Sequence, residues 1–129
     1  GSYFADADAS FIFTPFRADV QQAMESLRKV MAIPANRLFL GHFGICEKPQ
    51  EILQRALNRI QRLLDIGAEC LAEGKTKEIA PRVIASVMPE VEKIGMARDE
   101  SLYNYLSQEL IPSMSTVFAN YYLEQSQKQ

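Results

Sequence analysis

Apolar residues recur every three or four positions over most of the chain, which is the pattern of amphipathic helices. The predicted helices cover residues 20–31, 50–73, 77–95 and 99 towards the C-terminus. Pro81 and Pro89 are expected to divide or bend the third helix, and Pro112 the last, because proline removes a helical hydrogen bond. We therefore predict a mainly α fold. It is a helical C-terminal bundle with a short α/β remnant, one or two short strands, at the N-terminal side.

The stretch between the first two helices has a different pattern. Residues 38–40 form a short apolar run that is preceded by Pro34 and ended by Gly41, which predicts one buried strand. Asp19, with Gln22 three residues later, has the spacing of an N-terminal capping box for the helix before it. The order is therefore helix, tight turn and strand, and the chain offers no good partner strand.

Composition excludes several classes of function. The 129 residues are 47% hydrophobic and 23% charged, as in an ordinary globular domain. The net charge of −2 gives no indication of a nucleic-acid partner. We predict no membrane span, because no apolar run is long enough to cross a bilayer. Cys46 and Cys70 do not form a CxxC pair, so they are expected to be reduced thiols. Together with the lack of a signal-peptide pattern, this predicts a cytoplasmic protein.

Two groups of charged residues suggest sites but have plainer explanations. Asp6 and Asp8 lack the rest of a calcium-loop pattern, so we expect an irregular, solvated lead-in there. Arg55, Arg59 and Arg62 share a helix face with acidic residues. This mixture predicts a solvated face rather than a phosphate site.

His42 is the one histidine of the chain and directly follows the predicted strand. Side chains at strand ends often carry the chemistry of α/β proteins. A zinc or iron site needs three or four ligands, however, and Cys46 is the one other candidate nearby. No serine-nucleophile motif or phosphate loop is present. By itself the chain does not contain a complete active site.

The segment from 19 to 44 resembles the closing segment of the metallo-β-lactamase fold. The residues that match are those of its helix, turn and Gly-His strand end: Ser26, Leu27, Leu38, Gly41, His42 and Gly44. The resemblance implies that His42 ligates one metal of a dinuclear zinc or iron site in a hydrolase. The implied substrates are esters, thioesters, amides or phosphodiesters. Residues 1–47 would then close the metallo-β-lactamase domain. Residues 48–129 would be a C-terminal helical region that shapes the substrate cleft or a dimer interface.

The chain departs from that family in its main ligand motif, because HxHxDH, the next histidine and the bridging aspartate are absent. In the family they lie upstream, so the chain is expected to be the C-terminal part of a longer enzyme and inactive alone. Gly1-Ser2 is either native or left by tag removal. The alternative hypothesis is a self-contained helical interaction or dimerisation module without catalysis, in which His42 is a turn residue. We also expect a homodimer, because the apolar face of the first helix and the strand edges lack a covering sheet.

Overall fold

The structure is a computed structural model that describes residues 3–11, 19–41, 44–96 and 98–128. It confirms the mainly α fold with a small β part at the N-terminal side. The chain divides into two compact units, residues 1–61 and 62–129, and the boundary falls inside one long helix. The predicted domain boundary at residue 47 concerns the parent enzyme and stays a prediction.

The first unit contains two short antiparallel strand pairs. Strand β1 (Tyr3–Phe4) pairs with β2 (Ala9–Ser10), so the predicted irregular lead-in is in fact a hairpin. Strand β3 (Leu38–Phe39) pairs with β4 (Ile45–Cys46), in the register Leu38↔Cys46 and Phe39↔Ile45. The strand predicted over 38–40 is present at Leu38–Phe39, but the prediction that it is buried was wrong, because Leu38 and Leu40 are half-buried and Phe39 is exposed. Its partner β4 was not predicted, because that segment has no pattern of its own.

Helix α1 (Val20–Met31) confirms the prediction for this segment. Asp19 caps it, since Asp19 Oδ1 accepts hydrogen bonds from the backbone N–H groups of Gln21 and Gln22 at 2.8 and 3.2 Å. Its apolar stripe is only partly covered. Val20 and Met24 are buried, whereas the side chains that continue the stripe towards the C-terminal end, such as Val30, are not.

Helix α2 (Pro49–Ala72) begins in the first unit and continues into the second. It ends in a Schellman turn around Gly74, next to the predicted helix end at residue 73. Gly74 has φ 69°, the Lys75 N–H bonds to Cys70 O at 2.8 Å, and the Gly74 N–H bonds to Leu71 O at 3.2 Å. A 3₁₀ turn (Thr76–Glu78) then leads into the next helix.

In the second unit, helix α3 (Ile79–Ile94) packs against the C-terminal helical segment. Pro81 falls in its first turn, where no intrahelical donor is needed, so one helix forms rather than two. The C-terminal segment comprises α4 (Glu100–Tyr105), a π-helical turn (Leu106–Leu110) and α5 (Ile111–Gln127). Pro112 interrupts it as predicted, in the form of that wide turn. The Ile111 N–H bonds to Leu106 O, five residues back, where the proline ring would clash with a normal turn.

Candidate functional site

The segment of interest is the β3–β4 hairpin, which the sequence predicted to present His42. His42 and Phe43 lie outside the described residues, so the assignment of His42 as a metal ligand stays a prediction. The residues on either side are described. The Leu40 N–H donates to Gly44 O at 3.4 Å, which closes the hairpin beyond the register pairs. Among the described residues, β3 pairs with β4 alone and is not the last strand of a larger sheet.

Gly44 occupies a position that no other residue can take without movement of the backbone. Its φ is 97°, and a Cβ added there would lie 1.9 Å from the carbonyl oxygen of Tyr3. Gly41 differs, because a Cβ there meets no atom within 4 Å. The hairpin is therefore seated against β1 by backbone contact at Gly44, a close approach that glycine permits. The glycine was visible in the sequence, but its contact was not.

The two faces of the hairpin have opposite environments. On one face Cys46 joins Tyr3 and Ile52 in a buried cluster, with Leu38 and Leu40 packed against it. On the other face the register partners Phe39 and Ile45 are 70% and 49% exposed. Cys46, which the sequence placed near His42, lies in the core side of the hairpin, and its Sγ accepts the Lys48 N–H at 3.4 Å.

Asp8 is the centre of a charged cluster that ties the first hairpin to α2. Arg55 binds its carboxylate through both terminal nitrogens, at 3.2 and 2.8 Å, and Nη2 also reaches Glu51 at 2.7 Å. Tyr3 Oη donates to Asp8 Oδ1 at 3.0 Å. Nearby, Arg59 Nη1 donates to the carbonyl of Ser10 at 2.6 Å. Asp8 is exposed, as predicted, but its pairing with Arg55 was not predicted, because the sequence cannot show contacts across nearly fifty positions.

This cluster shifts the ionisation of two of its members. Burial, and then the hydrogen bond to Asp8, raise the pKa of Tyr3 to about 12. The hydrogen bond to Asp8 is also the main cause of the raised pKa of Arg55, which stays charged at any physiological pH. Both shifts favour the protonated donor facing an ionised carboxylate. We call this cluster the clasp. Its role is structural, because the Asp8 carboxylate already accepts hydrogen bonds from Arg55 and Tyr3.

No metal cluster forms among the residues that the structure describes: no three His, Cys, Asp or Glu side chains converge there. Cys46 and Cys70 are free, buried thiols. The donor set of the described chain therefore cannot hold zinc or iron by itself.

A groove on the surface of the first unit, between α1 and α2, was not predicted. We call it the α1–α2 groove, and its volume is about 580 Å³. Its lining consists of apolar residues and of polar residues with one charge among them: Met24, Arg28, Met31, Ala32, Gln50, Gln54, Leu57, Asn58 and Gln61. An amphipathic pattern predicted both helices, but the distance between the two helices decides whether they enclose a groove.

Comparison with protein families, with curated proteins and with solved structures gives no match for the chain. Of the helices in the described parts of the chain, none is long and apolar enough to cross a membrane. Function must therefore be argued from the residues themselves.

Proposed function

We propose that this chain is the C-terminal part of a metal-dependent hydrolase of the metallo-β-lactamase fold. In this proposal His42 is one ligand of a dinuclear zinc or iron site, and the other ligands belong to the upstream part of the parent enzyme. The helices after residue 47 shape the substrate cleft or a dimer interface. The parent hydrolyses an ester, thioester, amide or phosphodiester in the cytoplasm, where the two free thiols would stay reduced.

The observation that carries the proposal is apolar surface left exposed on the two elements that resemble the family's closing segment. On the β3–β4 hairpin, Phe39 and Ile45 are exposed on one face. Val30 in α1 is 39% exposed, and Ile33, two residues beyond the end of the helix, is 58% exposed. Burying apolar surface is worth about 25 cal/mol per Å², so large side chains collected on one face favour a covering layer. In the fold that these elements resemble, a sheet provides that layer.

The chain's own contribution to the chemistry is limited under this proposal. A metal bound in the parent would activate water for attack on the substrate. The seat of Gly44 against Tyr3 fixes one end of the Gly-His-Phe-Gly segment, and the buried cluster around Cys46 supports the hairpin beneath it. These contacts are of the kind that holds a ligand-bearing loop in place. The isolated chain is expected to be inactive.

The coding sequence directly upstream of Gly1 tests this proposal most simply. We expect an open reading frame that continues upstream and encodes HxHxDH, a further histidine and a bridging aspartate. A native start codon at or near Tyr3 would contradict the proposal. The same result would favour the second candidate function.

That second candidate is a helical interaction module that forms a homodimer. The same exposed side chains favour it, because a second copy of the chain could cover them in place of a sheet. Light scattering coupled to size exclusion at micromolar concentration compares the chain with a Phe39→Ser/Ile45→Ser double variant. A dimer lost in this variant but retained in Leu71→Ser, a matched exposed position in the second unit, assigns the contact to the hairpin. A monomeric starting chain argues against the module.

A further inference from the structure

The α1–α2 groove has a floor and a rim of different chemistry. Met24 and Leu57 are buried and form part of the floor, and Met31 is half-buried beside them. The rim is made of exposed polar side chains. Gln50 Nε2 donates to the carbonyl of Met31 at 2.8 Å, so the two helices are joined at one end of the groove. Methionine side chains adapt their shape to an apolar guest.

Among the described residues that line the groove, Arg28 is the single charged one and none carries a carboxylate. Its side chain makes no ion pair or hydrogen bond with the described residues, unlike Arg55 or Arg82, which both bind carboxylates. An arginine that makes no ion pair with the described residues and lies at the edge of an apolar floor complements a carboxylate on a guest.

Amide side chains form a row along the α2 side of the groove at Gln50, Gln54, Asn58 and Gln61. The row spans about 16 Å, at 1.5 Å per residue, which matches roughly five residues of extended chain. Gln54 Nε2 donates to Asn58 Oδ1 at 2.9 Å. The Gln54 oxygen and the Asn58 nitrogen make no hydrogen bond with the described residues. An acceptor and a donor side by side match the N–H and C=O groups of a peptide backbone.

We propose that the α1–α2 groove binds an extended peptide segment in which an acidic side chain adjoins an apolar one. The carboxylate pairs with Arg28, the apolar side chain lies on Met24, Met31 and Leu57, and the backbone meets the amide row. A small fatty acid would satisfy the arginine and the floor but would leave the amide row unused. The proposal does not depend on the proposed hydrolase function, because it uses neither His42 nor a metal.

Methyl NMR of the methionines tests the proposal with internal controls. The chain has five methionines, and Met24 and Met31 line the groove while Met88, Met96 and Met114 lie in the second unit. The probe is the synthetic peptide acetyl-Ala-Leu-Asp-Leu-Ala-amide, titrated to millimolar concentration against the full 129-residue chain. We expect saturable shifts of the Met24 and Met31 methyl signals and no change in the other three. Single Met→Leu variants assign the signals.

Two variants and two control ligands decide the chemistry. Arg28→Gln should weaken binding of the acidic peptide about threefold to tenfold. Lys29→Gln, a neighbouring exposed lysine outside the lining, should leave it unchanged. A peptide with Asn in place of Asp should bind the unsubstituted 129-residue chain and its Arg28→Gln variant equally weakly. Absence of shifts at Met24 and Met31, or equal losses in both variants, overturns the proposal. Shifts with octanoate but not with the peptide overturn it too, in favour of a small-acid site.

Discussion

Gly44 is the position in the β3–β4 hairpin where a side chain is expected to cost most. The substitution Gly44→Ala places a methyl group 1.9 Å from the Tyr3 carbonyl oxygen, at a φ of 97°. The positive φ alone costs an L-residue about 1–2 kcal/mol. The clash is with backbone, so β1 must move and Tyr3 must loosen from the buried cluster with Cys46 and Ile52. We expect a total loss of roughly 2–4 kcal/mol in the free energy of unfolding.

Gly41→Ala is the matched control, since it adds the same methyl group three residues earlier where no atom lies within 4 Å. It should be neutral or stabilise the chain by up to about 1 kcal/mol, because alanine restricts the unfolded state. Urea denaturation followed by tyrosine emission suits a chain without tryptophan. Amide exchange at Leu40, whose N–H bonds to Gly44 O, reports on the hairpin itself. Equal effects of the two substitutions would refute the close approach of Gly44 to β1.

Three further predictions concern the clasp and the helix packing. In a double-mutant cycle of Asp8→Asn and Arg55→Gln, urea denaturation should give a coupling of about 0.5–1 kcal/mol, since the pair is bidentate but partly exposed; additive effects would contradict the clasp. The pKa of Tyr3 is raised to about 12 in the folded state, so its neutral phenol stabilises the fold fully below pH 10. This stabilisation is lost as the pH rises to about 12. Melting of Tyr3→Phe measured over the same pH range should lack that loss of stability. In a Tyr122→Ala background, Gly67→Ala should stabilise the chain by about 1 kcal/mol through helix propensity. In the chain with Tyr122 the gain should be smaller, because the ring lies 2.8 Å from the new Cβ. Equal gains in both backgrounds would mean that the ring does not limit this position.

Features fixed by local sequence were predictable. The Asp19 cap and the Gly74 helix end depend on residues within a few positions of one another, so the sequence indicated them and the structure confirms them. The wide turn before Pro112 belongs to the same class, although its exact form was not foreseen.

Features that depend on distant residues were missed or misjudged. The strands of the hairpins are two residues long, which is too short for a periodic pattern. The apolar run 38–40 was therefore the one signal in this region, and it predicted burial on both faces. Asp8 and Arg55 meet across 47 positions, and nothing in either local pattern indicates the contact. The α1–α2 groove depends on the separation of two helices. His42 remains a predicted ligand outside the described residues.

Metal content of the parent enzyme tests the central claim most directly. The protein produced from the complete native reading frame is compared with its His42→Ala variant by elemental analysis and by hydrolysis of ester, thioester and phosphodiester substrates. The account predicts a dinuclear metal complement in the parent, and loss of about one metal ion with strongly reduced hydrolysis in the variant. Unchanged circular dichroism would show that the variant is folded. An unaltered metal content with full activity in His42→Ala would contradict the account.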